Sequence, residues 1–146
     1  ATMMFGMGED LAARLEHLQR IRDLQDETGG FTAFIAWTFQ HEHTDLPDLP
    51  EVFAHEYLKT LAVSRLFLDN VQHLQSSWVT QGKKIGQLGL AFGADDMGSI
   101  MIEENVVRAA GAAFRLDTDR MVRAIEATGR RAVQRDTLYR AVRTFA

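Results

Sequence analysis

Four apolar stretches each give way to polar residues and then to a helical pattern, and this alternation limits the chain to a β/α architecture. A parallel neighbour is reached only through a crossover that covers the sheet, so helices set between strands argue for parallel pairing. The first unit reads Ala1-Thr2-Met3-Met4-Phe5 as a buried strand, Gly6-Met7-Gly8 as a loop, and a helix from Glu9 to Thr28. In that helix Leu11, Leu15, Leu18, Ile21 and Leu24 recur at spacings of three and four, with Glu9 and Asp10 at the positive end of its dipole. Gly29-Gly30 stops it, and Phe31 to Trp37 resumes as a strand.

A long polar loop over Thr38 to Pro50 precedes a helix from Glu51 to Leu68, whose apolar residues are Val52, Phe53, Leu58, Leu61, Val63 and Leu66. The third unit is a strand from Leu74 to Val79, a turn at Thr80-Gln81-Gly82, and a helix from Ile85 to Phe92 closed by Gly93. Ser99 to Ile102 centres a fourth strand, with a short helical stretch to Ala110 behind Glu103-Glu104-Asn105. Leu116 to Thr128 reads as a surface helix starting at Asp117-Thr118, and residues 131–146 as an extended piece and a final helix. Four β/α units make half of an eight-stranded barrel, which assigns residues 1–116 to a half barrel and 117–146 to a C-terminal helical tail packing on it. A complete small doubly wound sheet is the structural alternative. The opening, inside a strand and without a lead-in, suggests one part of a larger catalyst.

The absence of cysteine removes disulfides, thiolate metal sites and cysteine nucleophiles together. No apolar run approaches the roughly 18 residues that span a bilayer, and the first residues lack the layout of a signal peptide, so the default setting is cytoplasmic, without a membrane partner. Residues 1–114 carry eight basic against sixteen acidic side chains, whereas residues 115–146 carry eight arginines against four acids. Complementarity between body and tail accounts for this better than a nucleic-acid patch, because lysine is absent from the tail and few aromatics interleave with its arginines.

In parallel β/α folds chemistry collects where the strands end at their carboxyl side. Those ends are Gly6 to Glu9, Thr38 to His43, Trp78 to Gln81 and Glu103 to Asn105. Two glycines two apart ahead of a helix start admit a ligand close to the backbone, although a plain tight turn explains them equally. His41-Glu42-His43 is a poor metal site, since residues two apart in an extended loop point to opposite sides and no third ligand is nearby. Glu103 and Glu104, adjacent carboxylates after an apolar strand, are catalytic candidates: one raised in pKa, the other accepting hydrogen bonds. Glu104 as a mere helix-dipole partner is the competing view. Trp78 either stacks an aromatic substrate or fills the interior.

The runs Ala-Thr-Met-Met-Phe-Gly-x-x-Glu, Leu24 to Phe31, Ser76 to Gly82, Ile102 to Asn105 and Gln134 to Tyr139 together resemble the radical S-adenosylmethionine (SAM) enzymes of the futalosine route to menaquinone. The cyclising branch fits best; the aminofutalosine and deazaflavin-cofactor synthases are similar. The resemblance implies a radical SAM barrel of which this chain is the C-terminal half. It implies a [4Fe-4S] cluster held by three cysteines absent here, SAM cleaved to a radical, and hydrogen abstraction from the ribose of a futalosine-type nucleoside. By this likeness Met4, Gly6 and Glu9 are cofactor-binding, with Thr2 where the pattern has its first glycine. Gln40, Trp78, Thr80, Gln81 and Asn105 are substrate-binding beside Glu103 and Glu104, and Arg135 clamps a benzoate carboxylate two-pronged. Met7-Gly8 departs from the usual His-Val, and His41-Glu42-His43 from the usual Pro-Glu-Asn. The chain alone is expected to be inactive, and its open strand edges to make it a homo-oligomer. A self-standing β/α binding or interaction module is the alternative function.

Overall fold

A computed structural model describes residues 1–41, 44–46, 48–100 and 116–145. Strand β1 (Thr2–Phe5), helix α1 (Leu11–Thr28), strand β2 (Ala33–Thr38), helix α2 (Ala54–Phe67), strand β3 (His73–Gln75) and helix α3 (Trp78–Gly89) follow one another as the alternation requires. β1, β2 and β3 pair in parallel in that order, with Met3 opposite Ala36 and Phe34 opposite Leu74. Asp96 adds a single parallel bridge to Gln75, and Ser76 N donates to Asp96 O at 2.8 Å. The fourth pairing therefore falls at Asp96, not at Ser99-Ile100; Met101 and Ile102 lie outside the described residues.

Alternate side chains of the strands, Met3, Phe5, Phe34, Ala36 and Leu74, are buried in one cluster with Leu18, Ile21, Tyr57, Leu58 and Leu61 of α1 and α2. Each such large apolar side chain contributes about 1.5–3 kcal/mol by leaving water. The intervening residues form a partly open face: Thr2 and Met4 are exposed, and Ile35, Trp37 and Gln75 half-buried. The helical apolar faces are narrower than their periodicity predicts. Leu11, Leu24, Phe53 and Leu66 are exposed and take no part in the core.

α1 begins where Asp10 caps it by accepting from Ala13 N at 2.8 Å and ends at Gly29 in the left-handed region. The strand expected over Leu74 to Val79 ends at Gln75; Trp78 and Val79 already turn helically, with an interruption at Gly82. A 3₁₀ turn over Leu90–Phe92 completes this unit. Helix α4 (Thr118–Glu126) starts at its cap Asp117, as its sequence predicts. The final helix expected in residues 131–146 is instead an antiparallel hairpin of β4 (Val133–Arg135) and β5 (Ala141–Thr144). The β-branched residues Val133, Val142 and Thr144 favour an extended ribbon over a helix, and the ribbon is largely exposed.

Candidate functional site

The carboxyl edge of the sheet carries two differently built segments. After β1, Glu9 folds back on its own loop: Oε1 accepts from Gly6 N and Oε2 from Met7 N, both at 2.8 Å. Arg14 Nε donates to Glu9 Oε1 at 2.7 Å while Arg14 Nη1 reaches Glu56 Oε1 at 2.8 Å. The Arg14 guanidinium also lies 4.6 Å over the Phe5 ring. Burial pushes the Glu9 carboxyl up, but the Gly6 and Met7 N–H groups and Arg14 outweigh it and hold it below the ordinary glutamate range. Gly6 has φ +93°, and a Cβ there would stand 2.3 Å from Val52 Cγ2, so only glycine fits. Glu9 and Gly6 thus shape the loop, while Met4 lies on the open face beside Trp37, its register partner.

The second segment joins the ends of β2 and β3 through neutral groups. The hydroxyl of Thr38, itself buried, accepts from Gln81 Nε2 at 2.7 Å and Gln40 Nε2 at 3.0 Å. Gln40 Nε2 is also 3.2 Å from Thr38 O. Beneath them Tyr57 OH accepts from Ser77 N at 2.7 Å and lies 3.4 Å from Ser76 Oγ, which donates to Gly86 O at 2.9 Å. Burial raises the Tyr57 phenol above its ordinary pKa, so it stays a neutral hydrogen-bonding group. Ser77 Oγ and Thr80 Oγ1 are 2.9 Å apart. Trp78 is 2% exposed, and a Cβ on Gly86 would come within 2.5 Å of Trp78 Cβ. In the described structure Trp78 fills the interior and Thr80 turns its hydroxyl to Ser77; Gln40 and Gln81 are the half-buried pair at the surface of this corner.

Arg135 lies elsewhere. The sequence pairs it with a substrate carboxylate; in the structure the carboxylate it holds is Asp96, through Nε at 2.9 Å and through Nη2. Tyr139 OH donates to the same Asp96 oxygen at 2.8 Å, the Arg135 guanidinium covers the Tyr139 ring at 4.0 Å, and the ring stacks on His73 at 3.8 Å. Burial first, and then the Asp96 carboxylate, push the Tyr139 phenol far up. His73 Nδ1 meets Asp95 Oδ2 at 2.6 Å, and Arg65 Nη2 meets Asp95 Oδ1 at 2.7 Å. This network fastens the basic tail to the acidic body, in keeping with their opposite charges.

A cavity of about 440 Å³ between residues 95–100, α4 and the hairpin is lined by Met97, Ile100, Met121, Ile125, Arg135 and Phe145 among others. Of the expected site residues that are described, Arg135 alone borders it. Glu103, Glu104 and Asn105, and Glu42 and His43 of the histidine run, lie outside the described residues. Among the described residues no group of three potential ligands stands together for a metal, and no helix is long and apolar enough to cross a membrane. Sequence reasoning misses Thr38, Tyr57 and Asp96 as organising residues. A hydroxyl closing an apolar strand was the one available signal for Thr38.

The family model described as CofH/MqnC C-terminal region matches residues 28–145. The chain is 50% identical over 145 residues to cyclic dehypoxanthine futalosine synthase of Halalkalibacterium halodurans, covering 99% of this chain and 39% of that protein. It is 51% identical over 139 residues to the enzyme of the same name from Streptomyces coelicolor, covering 95% of this chain and 35% of the relative. It is also 44% identical over 145 residues to 5-amino-6-(D-ribitylamino)uracil–L-tyrosine 4-hydroxyphenyl transferase of Methanoculleus marisnigri, covering 95% of this chain and 40% of that protein. The chain thus spans about two fifths of the length of these relatives. With one family model matching most of its length and relatives half identical across nearly all of it, the chain belongs to the CofH/MqnC C-terminal region family.

Proposed function

We propose that this chain is the C-terminal half of a radical SAM cyclase that converts dehypoxanthine futalosine to its cyclic form in menaquinone biosynthesis. In this reading β1 to β3 and the Asp96 bridge belong to strands five to eight of a β/α barrel, and residues 117–146 pack on it. The observation that carries the reading is the partly open sheet face with Met4 and Trp37 on it, above uncharged Thr38, Gln40 and Gln81 at the carboxyl edge. Parallel sheets are covered on both faces, so the open side calls for a second layer, which the other half of a barrel supplies. A second copy of the chain is the substitute when it is expressed alone.

The open thioether of Met4 fits the edge of a SAM purine, with Gly6 and Glu9 holding the loop beside it. SAM, when bound and cleaved in the intact enzyme, supplies the group that removes hydrogen from the substrate ribose. The cluster does not fit these residues: no cysteine is present to ligate it, and the chain alone is therefore expected to be inactive. This chain's own part is to bind and orient. Gln40 and Gln81 contact the substrate, Thr80 and Trp78 support them from below, and Glu103, Glu104 and Asn105 add carboxylates and an amide. Arg135 acts by holding Asp96.

The related deazaflavin-cofactor synthases are the second reading, favoured by the similarity to the tyrosine 4-hydroxyphenyl transferase. Reconstituting the cluster anaerobically in the intact gene product and supplying dehypoxanthine futalosine separates them. Formation of the cyclic product by mass spectrometry is the expected result, and turnover only of the tyrosine-dependent substrates contradicts it.

A further inference from the structure

The corner between β2 and α3 contains a residue that neither the motifs nor the expected site assignments single out. Thr38 is 1% exposed, yet its hydroxyl accepts from two amides that are 41 positions apart in sequence, one from the loop after β2 and one from the first turn of α3. A threonine oxygen has two lone pairs to offer, and both are taken. Gln40 also sets its Nε2 against the carbonyl oxygens of Thr38 and Phe39, at 3.2 and 3.4 Å, which fixes the nitrogen inward and the amide oxygen outward. Only the Nε2 atoms of the two glutamines are engaged among the described residues, and neither Oε1 is a buried orphan. The pair therefore offers two acceptors at the carboxyl edge, held there by one buried hydroxyl.

We infer that Thr38 is a positioning residue for substrate recognition: by accepting both side-chain N–H groups it orients the Gln40 and Gln81 oxygens toward hydroxyl or N–H donors on the ligand. The inference rests on the reading of those glutamines as substrate contacts and deepens it. Acceptors in an uncharged corner suit a sugar hydroxyl and reject a carboxylate, whose oxygens would face them with like polarity. The ribose end of the substrate therefore lies here. Without the Thr38 hydroxyl the Gln81 amide loses the bond that orients it and can present either end, and Gln40 keeps only its contacts to the Thr38 and Phe39 carbonyls, so discrimination falls before binding.

Thr38→Val keeps the shape and removes the hydroxyl; Thr38→Ser keeps the hydroxyl and removes the methyl. In the intact, cluster-loaded enzyme with dehypoxanthine futalosine as the probe, Thr38→Val raises KM about tenfold, the cost of about one hydrogen bond, while kcat holds within about twofold. Thr38→Ser restores KM to within about twofold. Equal KM values for Thr38→Val and wild type overturn the inference, as does an equal rise in Thr38→Ser, which makes shape the cause. Thr38→Ala replaces valine if that variant does not fold, with the same outcomes. Gln40→Leu and Gln81→Leu serve as the control. If they too leave KM unchanged, the glutamines are not substrate contacts and the parent reading fails. If they raise KM and Thr38→Val does not, Thr38 alone is dismissed.

Discussion

The loop after β1 and the corner joining β2 to α3 stand on one edge of the sheet, yet they are held by opposite means. The first is closed by charge: both Glu9 oxygens are used on backbone N–H groups and Arg14, and Arg14 is shared with Glu56. The second is held by neutral hydrogen bonds, Thr38 to Gln40 and Gln81 above, Tyr57 to Ser77 below, and it leaves two amide oxygens over. The difference separates scaffold from reader. A segment whose carboxylate is used on its own backbone and a neighbouring arginine sets backbone shape, whereas one with acceptors in hand selects a ligand.

The largest effect tests the support of the neutral corner. Trp78→Ala, which empties a fully buried site, is expected to lower stability by about 4 kcal/mol in urea unfolding; a loss under about 1 kcal/mol would mean the corner does not rest on this packing. Next, Gly86→Ala drives a methyl toward Trp78 Cβ and is expected to cost about 2 kcal/mol by overpacking, read as a fall in Tm. Glu9→Ala strips two N–H groups and Arg14 of their acceptor and costs about 2 kcal/mol, without the rise in substrate KM expected of the glutamine variants. Arg135→Lys loses the forked contact with Asp96 for about 1 kcal/mol. Substrate KM should stay within about twofold; a large rise at unchanged Tm would return Arg135 to the substrate.

Acid gives the smallest but sharpest contrast. The folded pKa of Glu9 is depressed below the ordinary glutamate value, so its contribution is present above that value and lost as pH falls through the folded pKa. The amide signals of Gly6 and Met7 should shift below about pH 4.5, whereas the side-chain amides of Gln40 and Gln81 should not. Coincident shifts would show that both segments answer to the same charge.

Much of this was legible where one face of an element alone decides its form. Leu18 and Ile21 at helical spacing, the strand after Gly29-Gly30, the Asp117 start and the stop at Gly29 are local signals, and the structure keeps them. Trp78-Val79 misleads because aromatic and β-branched residues favour strands, while burial against Gly86 permits a helical turn there. The hairpin of residues 133–144 was hidden by its brevity and by arginines that mimic a polar helix face. Polar strand ends pointed to Gln40 and Gln81. The Arg135 contact with Asp96, 39 positions away, had no local signature, so charge complementarity indicated only that tail and body would meet.

The central claim, that the substrate is read at the neutral corner and not at the charged loop, is tested most directly by 5′-deoxyadenosine release from the reconstituted intact enzyme as dehypoxanthine futalosine is titrated. Gln40→Leu and Gln81→Leu should each raise the half-saturating substrate concentration about tenfold, and Glu9→Gln should leave it within about twofold. An unchanged half-saturation in both glutamine variants, with a rise confined to Glu9→Gln, would contradict the account.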